Sequence, residues 1–265
     1  MTLRVPYIAD ETIECDAEAL LAQYAHATGL EVKAPVPIED IVEKHLKLRV
    51  EFDDLHRLLG VPRGGFLGSE PDIFGAIWLE SGEIVIDESL DPEERPRIEG
   101  RYRFTLAHEG GGHWRLHRPL VQANSGQGSL FGYARQPTVV CRSSRANERV
   151  ELQANLYASY LLMPRKLVFQ AWRDRLGNDH PFGLRRKDGI VDVDEIVRML
   201  PNFGAVPVVI SHSFNQACDD QLLEHIARPF AEQFLVSPRA MRIRLERLGL
   251  LHREVPRQQS LLVRS

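Results

Sequence analysis

The chain has 265 residues, 43% hydrophobic and 26% charged, and carries a net charge of −4. That balance is the composition of an ordinary soluble protein with one good core or two modest ones. It excludes a helical membrane protein, because no apolar run approaches the length of a bilayer. It also excludes a disulfide framework, since Cys15, Cys141 and Cys218 are odd in number, far apart and free of any CxxC spacing. The first six residues lack the basic stretch and apolar run of a signal peptide, so a cytoplasmic location is expected.

Residues 15–27 have helical periodicity, with Ala19, Leu20, Leu21, Tyr24 and Ala25 on one face. Residues 35–42 read as an extended entry into a second helix whose buried face is Ile38, Ile41 and Val42. Residues 48–52 alternate apolar and polar as a strand does, and residues 60–68 form a glycine-containing turn region. Two more strands follow at 74–79 and 83–87, joined by a hairpin turn at Ser81-Gly82. Asp91, with Pro92, Glu93 and Glu94 behind it, has the pattern of a helix cap leading to the next segment.

That next segment holds the densest chemistry of the chain. His108-Glu109-Gly110-Gly111-Gly112-His113 is followed by His117, and Phe104, Leu106, Ala107, Trp114 and Leu116 supply apolar faces around it. A helix offering two imidazoles and a glutamate is how many zinc peptidases build a site. The imidazoles bind the metal and the glutamate takes a proton from water. The usual spacing is H-E-x-x-H, and here one residue is added. On an ideal α-helix four steps leave a side chain about 40° from its start, whereas five leave it about 140° away. Two arrangements restore a shared metal. One is a π-helical widening at Gly110–Gly112, with His108 and His113 as ligands. The other pairs His113 with His117, which are four apart.

Residues 118–146 change character, with a polar, glycine-containing loop around 122–129 and a short apolar strand at 138–141. Their position between two candidate ligand segments suits a lid-like insertion. Residues 148–163 form a helix stopped by Pro164, with Leu152, Asn155, Leu156, Ser159, Leu162 and Met163 in related positions. A two-histidine zinc site needs a third ligand and an open position. Glu151 in this helix can point inward as that ligand, or outward as a solvated first-turn acid favoured by the helix dipole. Cys141 is either a thiolate ligand or a buried residue beside its strand.

Arg-Phe-Thr-Leu-Ala-His-Glu with the following His-Trp and Leu-His, and Glu-x-x-Ala-Asn-x-x-Ala-x-x-Leu-Leu-Met-Pro, together resemble the ImmA/IrrE family of zinc metallopeptidases. The segment beginning Pro35-Val36-Pro37 and the strand ending at Asp87 are similar to that family too, so the resemblance runs from about residue 13 to 167. It implies an α+β fold in which a small twisted sheet packs on zincin-like metal-binding helices. It further implies zinc held by His108, His113 and Glu151, with Glu109 as the catalytic base. The substrate class that it implies is a helix-turn-helix transcriptional repressor, in stress response or mobile-element control. The strand at 83–87 could hold such a substrate as an added strand.

Beyond Pro164, residues 167–176 continue as a helix, 178–188 as a loop, 191–200 as an amphipathic helix and 206–210 as a short apolar run. Residues 230–245 read as helix, turn capped by Ser237, and second helix, a weak resemblance to a helix-turn-helix. Arg239, Arg242, Arg244 and Arg247 could meet phosphates there. The net negative charge, and Leu235 where glycine is usual, instead favour a packed helical hairpin with a solvated arginine face. The expected organisation is a metallopeptidase-like domain at 1–176, with the insertion at 118–146, and a mainly helical C-terminal region at 177–265. The expected function is a zinc-dependent endopeptidase acting on a specific protein partner. The alternative is an inactive regulatory scaffold that binds a protein or DNA.

Overall fold

The structure is a computed structural model that describes residues 5–61, 73–120, 137–142, 148–184, 186–187, 190–191 and 216–253. It mixes helices with a small four-stranded sheet, as an α+β chain should. The chain divides into two compact units, Met1–Pro164 with Phe234–Val236, and Arg165–Gln233 with Ser237–Ser265. Helix α6, Arg165–Leu176, therefore belongs to the second unit.

In the first unit, α1 (Asp10–Thr28) buries Ile13, Ala17, Leu20, Leu21 and Tyr24, and ends where Gly29 takes a left-handed φ of 71°. That conformation lets the Gly29 N–H close on the Ala25 carbonyl, a standard helix stop. A π-helical turn, α2 (Asp40–His45), buries Ile41 and Val42. Strand β1 (Arg49–Asp53) follows, then α3 (Leu55–Leu59), whose cap Asp54 accepts from the Arg57 N–H. Strands β2 (Ile73–Trp78) and β3 (Glu83–Asp87) form the expected hairpin, turning at Gly82 with φ 73°.

The motif helix starts later than Asp91. Asp91 accepts from the Glu93 N–H in a turn, and a 3-10 turn at Pro96–Ile98 leads into α4 (Glu99–Ala107). Asp91 and α4 are separated because Pro92 and Pro96 lack the N–H groups that a continuous helix would need. Helix α4 runs unbroken into a π-helical segment, His108–His117. Strand β4 (Val139–Arg142) is the short apolar piece within 118–146. The rest of the expected lid, residues 121–136 and 143–146, lies outside the described residues. Helix α5 (Arg149–Leu162) completes the unit, and Pro164 follows it as expected.

Of the related positions expected on this helix, Leu162 and Met163 are buried and Leu152 is 48% exposed, while Glu151, Ala154, Tyr157, Ala158 and Leu161 turn inward. Ala154, Tyr157 and Leu161 come close to the glycines of the π segment.

The sheet order is β1-β3-β2-β4, with β1 parallel to β3 and the other pairs antiparallel. Strand β3 is thus paired on both sides and cannot accept an added strand, which corrects the expectation for 83–87. Among the described residues the open edges are β1 and β4. One sheet face packs Ala76, Val85 and Val140 against Leu55 and Leu59 of α3. The other bears Gly75, Ile77 and their partners Cys141 and Val139, toward α4 and the π segment. Helix α5 lies against the π segment and α4, and α1 lies against α5.

In the second unit, α6 carries Trp172, which stacks on Phe230 of α7 (Gln216–Phe234) with ring centroids 5.4 Å apart. Two residues of the expected loop at 178–188 form β5 (Phe182–Gly183), parallel to the terminal strand Leu251–His252. Two more, β6 (Arg186–Lys187), pair with β7 (Ile190–Val191). The helix expected over 191–200 does not begin at Val191, which pairs in β7, and residues 192–200 and the apolar run at 206–210 lie outside the described residues. Helices α7 and α8 (Pro238–Arg247) form the expected hairpin, with Ser237 accepting from the Ala240 N–H. Leu235 takes the left-handed φ of 51° that glycine usually supplies at such a turn.

Arg242 and Arg244 are 5% and 1% exposed, so the expected face of solvated or phosphate-binding arginines is halved. Arg242 lies among Asp220, Glu224 and Glu246 at 3.5, 3.4 and 3.0 Å. A guanidinium surrounded by three carboxylates is held inside by charge pairing. Arg239 and Arg247 remain exposed.

Candidate metal centre

The added residue in the motif is absorbed by a change of helix type. In the π-helical segment the backbone completes a turn more slowly, so side chains five apart come into line. His108 and His113 meet with their Nε2 atoms 3.0 Å apart. Of the two arrangements open from sequence, this is the one formed.

The three glycines do more than tolerate the wide turn. A Cβ at Gly110 would stand 2.7 Å from Val42 of α2, and one at Gly111 would stand 2.6 Å from the Tyr157 ring. A Cβ at Gly112 would fall 2.5 Å from Ala154 Cα. Each glycine gives space to a different neighbour, and two of the three neighbours belong to α5. Close approach of α5 is what brings Glu151 to the histidines.

Glu151 points inward and is 3% exposed. Its Oε2 is 3.1 Å from His108 Nε2, and its Oε1 is 3.8 Å from His113 Nε2. In a tetrahedral zinc site with bonds of 2.0–2.1 Å, neighbouring donor atoms stand about 3.3 Å apart. The two imidazole nitrogens at 3.0 Å, and Glu151 Oε2 at 3.1 Å from His108, stand near that edge length, with the other carboxylate oxygen 3.8 Å from His113. The buried set His108, His113 and Glu151 could hold a metal ion.

Each histidine has a partner for its other nitrogen. His108 Nδ1 lies 3.0 Å from Asn155 Oδ1, one turn along α5 from Glu151, and its N–H donates there. His113 Nδ1 lies 3.2 Å from His117 Nδ1, and His117 Nε2 lies 3.0 Å from Gln153 Oε1. Gln153 in turn donates to the Pro6 carbonyl at 2.9 Å. These hydrogen bonds agree in direction if His113 and His117 each donate to the next group, leaving both Nε2 atoms of the pair His108 and His113 for the centre. His117, the alternative ligand in the sequence, is therefore a support of His113, occupied on both ring nitrogens.

Searches of family models and of curated proteins find no match.

Glu109 is fully buried, and neither carboxylate oxygen has a hydrogen-bond partner among the described residues. Burial pushes its pKa up to about 8, with His108 opposing and Glu151 reinforcing the shift. An unpaired carboxylate in such a place is costly to a fold, so its retention calls for a ligand or reactant facing it. Gly75 of β2 makes room for it, since a Cβ there would stand 2.8 Å from Glu109 Oε1. Burial likewise lowers His113 well below the ordinary imidazole range, with His108 and His117 adding to the shift. For His108 burial also acts to lower the pKa, but Cys141, Glu151 and Glu109 outweigh it and hold the group well above that range.

Cys141 is the residue whose place sequence left open. Its Sγ lies within 4.8 Å of a His108 nitrogen and a Glu109 oxygen. The signal was its position in a short apolar strand between the two ligand segments.

Arg103 fixes the frame from behind. Its guanidinium contacts both oxygens of Glu39 at 3.0 Å and donates to the Val36 carbonyl. Asp16 of α1 accepts from Tyr157 at 2.8 Å and from Arg115 at 3.3 Å, which ties α1, α5 and the π segment together. No described helix is long and apolar enough to cross a membrane.

Proposed function

We propose that the chain is a zinc-dependent endopeptidase. The observation that carries this reading is a fully buried, unpartnered Glu109 carboxylate beside a convergent His108, His113 and Glu151 donor set. Two imidazoles and a carboxylate are the donor set of hydrolytic zinc sites, which keep one position open. When bound, zinc supplies Lewis acidity that makes water more acidic and polarises a carbonyl.

The residues of the chain supply the rest. Glu109, with a pKa near 8, takes the proton of an attacking water and returns it to the departing amine. Its desolvated surroundings raise its basicity, so the proton transfer suits neutral conditions. Asn155 and His117 keep the two imidazoles in the tautomer and orientation that present Nε2. Gly75 leaves the room in the sheet face that the Glu109 side chain fills.

The ImmA/IrrE resemblance supports zincin-like packing and a transcriptional repressor of the helix-turn-helix class as substrate, acted on in the cytoplasm. The open edge at β4, on the same sheet face as Gly75, is better suited than β3 to receive an extended peptide.

Metal analysis with a cleavage assay tests the proposal. The purified chain should bind one zinc and cleave its partner. Glu109→Gln should keep the zinc and lose about 10²- to 10⁴-fold in rate. Cleavage unchanged in Glu109→Gln would place the base elsewhere. A zinc-loaded chain that binds partners without cleaving them, with or without Cys141, would support the regulatory scaffold instead.

A further inference from the structure

We propose that Cys141 is a fourth protein donor of this centre, whose thiolate closes the side that Glu109 faces and holds the peptidase latent. The inference rests on the metal reading above and concerns regulation of that same site.

Three observations place the sulfur. Cys141 lies in β4 directly across from Gly75 in β2, so the two share a sheet face. That face is the one on which Gly75 opens toward Glu109 and Thr105. The Cys141 Sγ, a His108 nitrogen and a Glu109 oxygen all lie within 4.8 Å of one another. Glu109, 0% exposed and with both oxygens unpartnered, is the second polar group aimed into this pocket.

The donors fall into two groups that share His108. One contains His113 and Glu151, and the other contains Glu109 and Cys141. The sulfur shares His108 with the first group and reaches it from the side of Glu109. In a tetrahedral zinc site a sulfur at about 2.3 Å and a nitrogen at 2.0–2.1 Å from the metal stand about 3.6 Å apart. Closing from under 4.8 Å to that separation is within the reach of rotation about the Cα–Cβ bond of cysteine. Thiolate is also a preferred donor for zinc, so it competes well with water for the position.

Ligation would break the Cys141 S–H bond, its proton leaving with the displaced water as a sulfur lone pair takes the position that water would hold. Occupation of that position by sulfur is what blocks the centre. A four-donor protein shell is the closed form of a zinc site, and removing the thiol restores the three-donor form.

X-ray absorption of the zinc-loaded full-length chain tests the proposal. The wild type should show one sulfur neighbour at about 2.3 Å. Cys141→Ser and Cys141→Ala should each bind one zinc through nitrogen and oxygen alone, whereas Cys15→Ser should keep the sulfur. The cobalt-loaded forms should follow the same pattern in their thiolate-to-cobalt charge-transfer band. Cleavage of the partner should rise at least tenfold in the two Cys141 variants. A wild-type shell of nitrogen and oxygen alone would overturn the proposal and leave the centre standing. A wild type that binds no zinc would overturn both.

Discussion

His113 reaches the centre at the end of a chain of three further groups, His117, Gln153 and the Pro6 carbonyl. A histidine ring free to rotate presents either nitrogen. One whose Nδ1–H is already donated presents Nε2, and binding a metal then costs less ordering. Burial holds the His117 pKa at about 4, with Gln153 acting against the shift and His108 with it, so His117 is neutral and able to accept from His113. We expect His117→Ala to weaken zinc binding about 10- to 100-fold, read by competition with a chelator. His117→Gln, which retains an acceptor, should recover part of that loss. Equal affinity in all three proteins would reduce His117 to a packing role. The four-residue separation of His113 and His117 was legible in the sequence and marked them as neighbours. Whether His117 supports or ligates stayed open between the two, because the deciding atoms belong to Gln153 in another helix and to a backbone carbonyl near the N-terminus.

At the scale of elements, the π segment joins two requirements that the sequence displays separately. The five-residue interval between histidines needs a wide turn, and Gly110–Gly112 permits one. The glycines also admit neighbours, and the obstacle differs at each. A Cβ on Gly110 meets the end of the Val42 side chain at 2.7 Å, whereas a Cβ on Gly112 meets the Ala154 main chain at 2.5 Å. Overpacking of this kind costs about 1–3 kcal/mol, and more where the obstacle cannot move. Gly110→Ala should therefore be destabilising alone and largely rescued by Val42→Ala. Gly112→Ala should be destabilising with no single side-chain rescue, and should weaken zinc binding by pushing α5 and Glu151 outward. Thermal melts of the three variants check the order, and a Gly112→Ala as stable as wild type would contradict it. Strand positions were readable from alternation and from the Ser81-Gly82 turn, but sheet order was not. Strand β1 pairs in parallel with β3 and leaves β2 on the far side, an arrangement to which local pattern is blind. The direction of Glu151 on α5 was left open for a related reason, since it depends on how closely the glycines of another segment let α5 approach.

Across the whole molecule, the two units differ in how their charges were legible. In the first, the histidines and Glu109 were marked by type and interval and Glu151 by the family resemblance, and their burial then gave them meaning. In the second, four arginines on one helix looked like a solvated or phosphate-binding face, because sequence assigns charge to the surface by default. Arg242 is instead buried among Asp220 and Glu224 of α7 and Glu246 of α8. It links the helices of the hairpin and is not available to a phosphate backbone while the hairpin is folded. Those carboxylates are partly exposed, so solvent screens each pair and the net loss is smaller than for a fully buried network. Arg242→Ala should lower stability by about 1–3 kcal/mol, from lost charge-assisted hydrogen bonds and three carboxylates left closer in repulsion. Arg239→Ala, at an exposed position, should change it by less than about 0.5 kcal/mol. Denaturant unfolding of the full chain reads both, and zinc stoichiometry measured on the same samples should stay at one, since His108, His113 and Glu151 all lie in the other unit. If Arg239→Ala proved as damaging as Arg242→Ala, the hairpin would not be held by the buried guanidinium. If Arg242→Ala left stability unchanged, the acidic cluster would be satisfied without it.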